Sequence, residues 1–389
     1  MKRPTIAASA QATGVSTGAV SYALNGRPGV SEPTRRRILD AAEQMGWAPS
    51  NTARALAEGR VGAFGLIIDR PAPMLGVESF FMRFIAGIES ELADTRTELL
   101  LRVTDAPEAE MEAYRRWSAE RRVDGVLIVD LRRDDPRVRF VQEVGLPAVV
   151  VGGPGGAAGL PCLHSDDAEA TAEAVAYLAA LGHRRIARVA GPEGLLHTEV
   201  RSAAFTDAVR AAGGEPRIVH ADYTAESGAR ATRRLLSESR RATAVVYDND
   251  LMAVTALGVA REMGVAVPSE LSVVAWDDSV LCSAVRPALT AVGRDIADHG
   301  RRAARMLEAV VSGAEPRSAS TAPAEFVPRE SAARVPAHSW TVASSEVSAM
   351  PSGPLKMRSP QGERRCPSKP SAMSRYSTPP LLPLQDQPR

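Results

Sequence analysis

The sequence is short of cysteine and of long apolar runs, and each shortage excludes a class of protein. Its three cysteines, Cys162, Cys282 and Cys366, show no CxxC spacing, which argues against a disulfide framework or a zinc site and fits a reducing compartment. No apolar run approaches the roughly 18 residues of a membrane span, and the N-terminus lacks the apolar core of a signal peptide. We therefore expect a cytoplasmic protein that does not enter a membrane.

Catalytic and cofactor motifs are missing as well. The glycine run at 152–156 is not a GxGxxG motif, and Pro154 removes an amide that a phosphate would need. The segment at 164–167 resembles a metal or triad fragment, but Ser165 and Asp166 are explained more simply as the start of a capped helix. We expect no enzyme activity, no cofactor and no bound metal, with an enzyme on a doubly wound fold kept as an alternative.

Charge is nearly balanced over the whole chain but not at its N-terminus. The 389 residues carry a net charge of +1, whereas residues 1–60 hold eight lysines and arginines against four acidic residues. That local excess of positive charge is a modest indication of nucleic-acid binding. The length predicts two or three domains.

Residues 15–31 are the most informative stretch. Ser16 is a good N-cap, and Val20, Ala23 and Leu24 follow at helical spacing as a narrow apolar stripe. The opposite face is small and polar apart from one aromatic ring, and it consists of Thr17, Gly18, Ser21, Tyr22 and Asn25. Such a face suits the DNA major groove, where base edges offer donors, acceptors and thymine methyls.

Helices are also predicted on both sides of this stretch. Thr5 can cap a helix that ends at Gly14, and a third helix is expected after Ser31, with Pro33 in its first turn and Gly46 at its end. Two short helices joined by a glycine-containing turn are typical of a helix-turn-helix.

The pattern changes at Val61. Short apolar runs, such as residues 62–69, alternate with helical segments, which predicts parallel sheets covered by helices. The region 61–332 is about twice the length of a usual domain, so we expect two lobes. Residues 336–389 contain ten prolines and ten serines without periodicity, which predicts disorder.

The sequence resembles the LacI/GalR family of bacterial transcription regulators over about residues 3–332. The resemblance is carried by these segments: Gly14-Val15-Ser16, Val20-Ser21, Leu24-Asn25-Gly26, Gly29-Val30-Ser31, Ala53-Arg54-Ala55-Leu56, residues 181–187, 248–253 and 274–278, and Pro287-Ala288-Leu289-Thr290. It implies a helix-turn-helix domain at 1–48, a hinge helix or linker at 49–60, and a two-lobed effector-binding and dimerisation domain at 61–332 of the periplasmic-binding-protein type. Residues 333–389 are then an extension.

The resemblance also implies how DNA is contacted. Thr17, Gly18 and Tyr22 face base edges, while Thr5, Ser16, Ser21 and Asn25 hold phosphates or fix the helix. The hinge motif contributes Ala53, Arg54 and Leu56, with Leu56 as an apolar wedge in the minor groove. Tyr22 stands where the family often has arginine, so the operator sequence cannot be taken from another member.

The effector site is expected where strands end, because ligands of open parallel sheets bind outside the carboxyl ends of the strands. The candidates are Asp69, Asn249, Asp250, Trp276 and Asp277, and the resemblance adds Arg201 with Phe80, Phe81 and Tyr223 as walls. Phe80 and Phe81 begin a helix, so only one of them is expected to face the cleft. Carboxylates, an arginine and a flat indole suit a sugar.

The sequence therefore predicts a homodimeric repressor, with a tetramer as the alternative, that binds double-stranded operator DNA under the control of a small carbohydrate. A purine or a sugar phosphate is the alternative effector. From another functional class, a cytosolic sugar-binding protein is the alternative, although the N-terminal module argues against it.

Overall fold

A computed structural model describes residues 5–24, 26–47 and 59–335. Three helices form the N-terminal region: α1 (Ile6–Thr13), α2 (Thr17–Leu24) and α3 (Glu32–Gln44). The predicted caps are confirmed, since Thr5 Oγ1 accepts from the Ala8 N–H at 3.3 Å and Ser16 Oγ accepts from the Ala19 N–H at 3.2 Å. Gly14, with φ 64°, ends α1 in the left-handed region, which glycine adopts without a steric penalty.

The helices pack around a small apolar core. Val20 and Ile38 are fully buried, and Ala10 and Ala23 pack against them. This burial turns the polar face of α2 outward, and it confirms the stripe read from the sequence. Arg35 connects α3 to the C-terminal end of α2, because its guanidinium donates to the carbonyls of Ala23 at 3.1 Å and Arg27 at 2.7 Å.

The first lobe is a six-stranded parallel sheet with helices on both faces. Its strands are β1 (Ala63–Asp69), β2 (Glu98–Thr104), β3 (Gly125–Ile128), β4 (Ala148–Val151), β5 (Cys162–His164) and β11 (Ala319–Ser320). They lie in the order β11-β5-β4-β3-β1-β2. The helices are α4 (Ser79–Leu92), α5 (Pro107–Ala119), α6 (Pro136–Glu143) and α12 (Ile296–Val311).

The second lobe repeats this architecture with one antiparallel edge strand. Its strands are β6 (Ile186–Ala190), β7 (Arg217–His220), β8 (Ala244–Tyr247), β9 (Ser272–Trp276), β10 (Thr290–Gly293) and β12 (Glu325–Val327). Their order is β12-β10-β9-β8-β6-β7, and only the pairing of β10 with β12 is antiparallel. The helices are α7 (Asp167–Ala180), α8 (Leu196–Ala211), α9 (Ala225–Leu236), α10 (Asp250–Glu262) and α11 (Val280–Ala284).

The inner strands β3, β4 and β8 are apolar and fully buried because both faces of each sheet are covered there, whereas the edge strands β2 and β7 contain exposed polar residues. In β1, Leu66 and Ile68 face α4 and α12, whereas Ile67 between them faces α5. The predicted two-lobed α/β architecture is confirmed. None of the helices in the described ranges is long and apolar enough to cross a membrane.

The chain passes between the lobes three times, after β5, after β10 and after β11. The short strands that flank these passages, β5, β10, β11 and β12, were not predicted from the sequence, and neither were α6 and α11. Strands of two or three residues, such as β11, are too short to show a periodicity.

Two glycines allow α4 and α12 to approach closely. A Cβ on Gly87 of α4 would lie 2.0 Å from the carbonyl oxygen of Ala297, and a Cβ on Gly300 of α12 would lie 2.2 Å from that of Phe84. Both clashes are with backbone, which cannot move aside as a flexible side chain can.

We predict that Gly87→Ala lowers the thermal unfolding midpoint, because overpacking at this crossing costs about 1–3 kcal/mol or more. Gly258→Ala is the matched control, since its Cβ would meet nothing within 4 Å on α10. The control should gain up to about 1 kcal/mol from helix propensity. An unchanged midpoint for Gly87→Ala would contradict the close approach.

Candidate functional site

The predicted DNA-contacting residues lie on the exposed side of the three-helix region. Thr17 and Gly18 are exposed, Ser21 is half-buried, and the Tyr22 side chain is 45% exposed. Thr5 and Ser16 are exposed at the N-termini of α1 and α2, where they cap. The remaining predicted contacts, Asn25, Ala53, Arg54 and Leu56, lie outside the described residues.

A cavity of about 240 Å³ lies between the two lobes, at the carboxyl ends of both sheets. Arg70 follows β1, Asp130 follows β3 and Gly152 follows β4 on one side. On the other side, Asp248 follows β8 and Asp277 follows β9. The cavity therefore stands where the topology of parallel sheets places ligands.

Six of the nine predicted effector residues line this cavity, and three do not. Those at the wall are Phe80, Phe81, Arg201, Tyr223, Asn249 and Asp277. Both phenylalanines line the cavity, so the expectation that only one could was wrong. Phe81, 1% exposed, also belongs to the core, and one ring can serve both purposes.

The other three predicted residues, Asp69, Asp250 and Trp276, do not line the cavity, and each contacts another residue instead. Asp69 is paired with Arg132 at 2.7 Å. Asp250 accepts a hydrogen bond from the Ser79 hydroxyl at 3.1 Å, which joins the lobes. Trp276 is fully buried directly beneath Arg201, whose guanidinium carbon lies 3.6 Å from the ring centroid.

The cavity also contains residues that the sequence analysis did not assign. They include Arg70, Glu78, Asp130, Ser165, Asp167, His197, Arg294 and His299. The sequence predicts that Ser165 and Asp166 together form a capped helix start. The cap is Asp166, whose carboxylate accepts from the Glu169 N–H at 3.0 Å, while Ser165 and Asp167 face the cavity. Strand-end position was the signal available for Arg70 and Asp130.

Arg201 and Asp167 form a buried ion pair at the wall. The Arg201 Nε and Nη2 atoms both lie 2.7 Å from Asp167 Oδ2, and both side chains are at least nine-tenths buried. Burial alone would raise the pKa of Asp167, but Arg201 and then Arg294 hold this pKa well below its usual range. Asp167 is therefore a permanent anion that fixes Arg201 over the Trp276 ring.

Arg294 connects several parts of the wall. Its guanidinium donates to Ser165 Oγ at 2.9 Å, lies 3.3 Å from Asp277 Oδ1 and stands 5.2 Å from the Phe80 ring centroid. Asp277 has φ 63°, a left-handed conformation that aspartate tolerates better than most residues.

A second cluster consists of Arg70, Glu78 and Asp130. Arg70 pairs with Asp130 at 2.7 Å and with Glu78 at 3.6 Å, and its guanidinium carbon lies 5.2 Å from the Tyr223 ring of the other lobe. Burial raises the pKa of Glu78 to about 7; Arg70 opposes this rise, whereas Asp130 and Asp277 add to it.

Two histidines at the cavity are neutral at physiological pH. Burial and then Arg201 lower the pKa of His197 to about 4, and its Nε2 lies 2.7 Å from the Tyr223 hydroxyl. Burial and then Arg294 lower the pKa of His299 to about 3. Both rings therefore offer neutral hydrogen-bonding nitrogens rather than charge.

Many polar atoms at the wall have no hydrogen-bond partner within the described residues. Seven buried atoms on lining residues make no hydrogen bond in the described part of the chain: Arg70 Nε, Glu78 Oε2, Asp130 Oδ2, His164 Nδ1, Asp277 Oδ1, Arg294 Nε and His299 Nδ1. Four of them still belong to the ion pairs described above, whereas His164 Nδ1, Arg294 Nε and His299 Nδ1 have neither a hydrogen bond nor an ion pair among the described residues. A buried polar atom without a partner costs about 1–3 kcal/mol. A ligand with alternating donors and acceptors would recover that cost.

Comparison with known proteins identifies the family. Residues 5–50 match the model described as bacterial regulatory proteins, lacI family, and residues 175–332 match the periplasmic binding protein-like domain. The HTH-type transcriptional regulator CelR of Thermobifida fusca is 32% identical over 320 residues, which cover 80% of this chain and 93% of CelR. The chain belongs to the LacI family. It is a DNA-binding transcriptional regulator, as the sequence analysis predicted.

Further relatives and solved structures agree with this assignment. AglR of Rhizobium meliloti, a transcriptional regulator, is 32% identical over 74% of this chain and 84% of its own. A structure of a CelR–cellobiose complex matches with 30% identity and a TM-score of 0.65, over 85% of this chain and all of that one. The lac repressor dimer bound to operator and the anti-inducer ONPF is 24% identical over the same shares, and its TM-score of 0.77 supports the fold alone.

We predict that Glu78→Gln changes how stability depends on pH. The folded pKa of Glu78, about 7, lies above the ordinary 4.5, so the native state binds this proton more tightly than the unfolded state. Stability from Glu78 is therefore present at low pH and is lost as pH rises from 4.5 through about 7. The slope is at most about 1.4 kcal/mol per pH unit.

The measurement is chemical unfolding of wild type and Glu78→Gln from about pH 5 to about pH 8. The variant should become more stable relative to wild type as pH rises. Glu173→Gln, at an exposed position on α7, is the control and should follow wild type. A constant difference between Glu78→Gln and wild type would contradict the raised pKa.

Proposed function

We propose that this regulator is a repressor whose affinity for its operator is set by a neutral sugar bound in the cavity between the lobes. The observation that carries the sugar is the mixture of carboxylates, guanidinium groups and imidazoles at the wall, where buried nitrogens of His164, Arg294 and His299 have no partner among the described residues. Each sugar hydroxyl donates one hydrogen bond and accepts others, so a polyol can satisfy carboxylates and arginines together.

The charges at the wall favour a neutral ligand over an anionic one. Among the lining residues, Arg70, Arg201 and Arg294 face five carboxylates, those of Glu78, Asp130, Asp167, Asp248 and Asp277. Only Asp248 is neutralised from outside the cavity, by Arg188 through contacts of 2.6 and 2.7 Å. Because the pKa of Glu78 is about 7, the remaining charges nearly cancel at neutral pH, and the wall has no net positive charge to favour a sugar phosphate. The CelR–cellobiose complex is a related regulator with a neutral sugar.

The coupling rests on the two lobes meeting around the ligand. The Leu196 N–H donates to the Leu131 carbonyl across the lobes at 2.9 Å, and Arg70 lies against Tyr223 of the opposite lobe. A sugar that binds one lobe arrangement more tightly shifts the population toward it. The effector and the operator then change each other's affinity by the same factor.

DNA recognition completes the proposal. Two copies of the chain read a near-palindromic operator, since two-fold protein symmetry is mirrored in the site. Thr17, Gly18 and Tyr22 face base edges, and the segment 49–60 acts as the hinge between the reading domain at 1–48 and the effector domain at 61–332. Genome-wide footprinting of the purified protein tests this, and binding without preference for any genomic fragment would contradict it.

We predict that Asp277→Asn weakens sugar binding about 10- to 100-fold, because a hydrogen bond to a charged acceptor is lost. A thermal-shift screen of neutral sugars, sugar phosphates and purines first identifies the ligand, and titration then compares the variants. Asp278→Asn is the control, since Asp278 pairs with Arg329 at 2.7 Å outside the cavity and should leave affinity unchanged. Stabilisation by purines or sugar phosphates alone would contradict the sugar.

We predict that Leu56→Ala weakens operator binding by about tenfold or more while leaving binding to random duplex nearly unchanged. An apolar wedge acts only where the protein kinks its specific site, whereas non-specific binding is electrostatic. Leu39→Ala, at an exposed leucine on α3, is the control for both DNAs in a gel-shift titration. Equal losses of Leu56→Ala on the two duplexes would refute a wedge.

A further inference from the structure

A second pocket lies at the opposite edge of the second lobe from the effector cavity. It has a volume of about 150 Å³ and is built where strands begin. Arg185 directly precedes β6, and Arg241 and Thr243 precede β8. Arg334, on the segment that follows the last strand, forms another part of its wall.

Positive charge dominates this pocket, because its one carboxylate is already used. Glu270 Oε1 accepts from Arg241 at 2.7 Å, and Glu270 Oε2 accepts from the Ala266 N–H at 3.0 Å. No carboxylate within residues 59–335 pairs with Arg185 or Arg334. The pocket therefore contains three guanidinium groups and one carboxylate, and both oxygens of that carboxylate are already hydrogen-bonded.

The arginines are attached to fixed backbone. Arg185 Nε donates to the Arg241 carbonyl at 3.0 Å, which leaves its terminal nitrogens available. The residues on either side of Arg334 are held as well. The Ala333 carbonyl accepts from His183 Nε2 at 3.0 Å, and the Val335 N–H donates to the Leu181 carbonyl at 3.1 Å.

We propose that this pocket is a binding site for a small phosphate-bearing anion, distinct from the effector cavity. Guanidinium forks bind phosphate oxygens through paired, charge-assisted hydrogen bonds. A pocket of about 150 Å³ admits a phosphate group but is far too small for a nucleic-acid duplex. The bound anion joins Arg334, on the segment that leaves the sheet, to Arg185 and Arg241 at the starts of the strands.

Isothermal titration of the full chain with inorganic phosphate, at constant ionic strength set with sodium chloride, tests the site. We expect saturable binding of one phosphate that chloride does not match. The double variant R185Q/R334Q should bind at least about tenfold more weakly, since each lost contact is a hydrogen bond to a charged group. R240Q removes an exposed arginine that does not line the pocket and should bind as wild type does.

Two further measurements keep the outcome decisive. If the double variant is misfolded by circular dichroism, R334Q alone is used, because Arg334 is exposed and its loss should still weaken binding. Titration with glucose 6-phosphate distinguishes a phosphate ester from the free ion at the same arginines. Equal phosphate affinity in wild type and the arginine variants, or no saturable binding, would overturn the proposal.

Discussion

Parallel strand pairing is the constraint on which the rest of the two-lobed domain depends. Because neighbouring strands run in the same direction, their carboxyl ends meet at one edge, and in each lobe that edge borders the cavity. Residues far apart in sequence, such as Arg70 and Asp277, are thereby brought to one wall. The three passages of the chain between the lobes connect the two edges and make each lobe depend on both halves of the sequence.

Local signals were sufficient for much of the fold. The capping hydroxyls of Thr5 and Ser16 accept from backbone N–H groups only three residues away, and Asn249 caps α10 in the same way by accepting from the Met252 N–H. Strands buried on both faces are recognisable as continuous apolar runs. Site residues that directly follow such a strand, such as Asp277, could therefore be found from the sequence alone.

Long-range partners account for what the sequence did not reveal. Asp69 is the last residue of β1, and Asp277 directly follows β9. Asp69 nevertheless pairs with Arg132 rather than lining the cavity, and no local sequence pattern predicts that ion pair. Glu78 and Arg294 enter the wall because folded neighbours fix them there. Predicting these required knowledge of which charges share a buried space, which depends on tertiary packing.

The central claim is that ligand binding in the cavity and DNA binding by the N-terminal three-helix region are thermodynamically coupled. The most direct test measures operator affinity with and without saturating sugar, and sugar affinity with and without operator. Linkage requires the two ratios to be the same factor and different from one. A sugar that binds the cavity but leaves operator affinity unchanged would contradict the account.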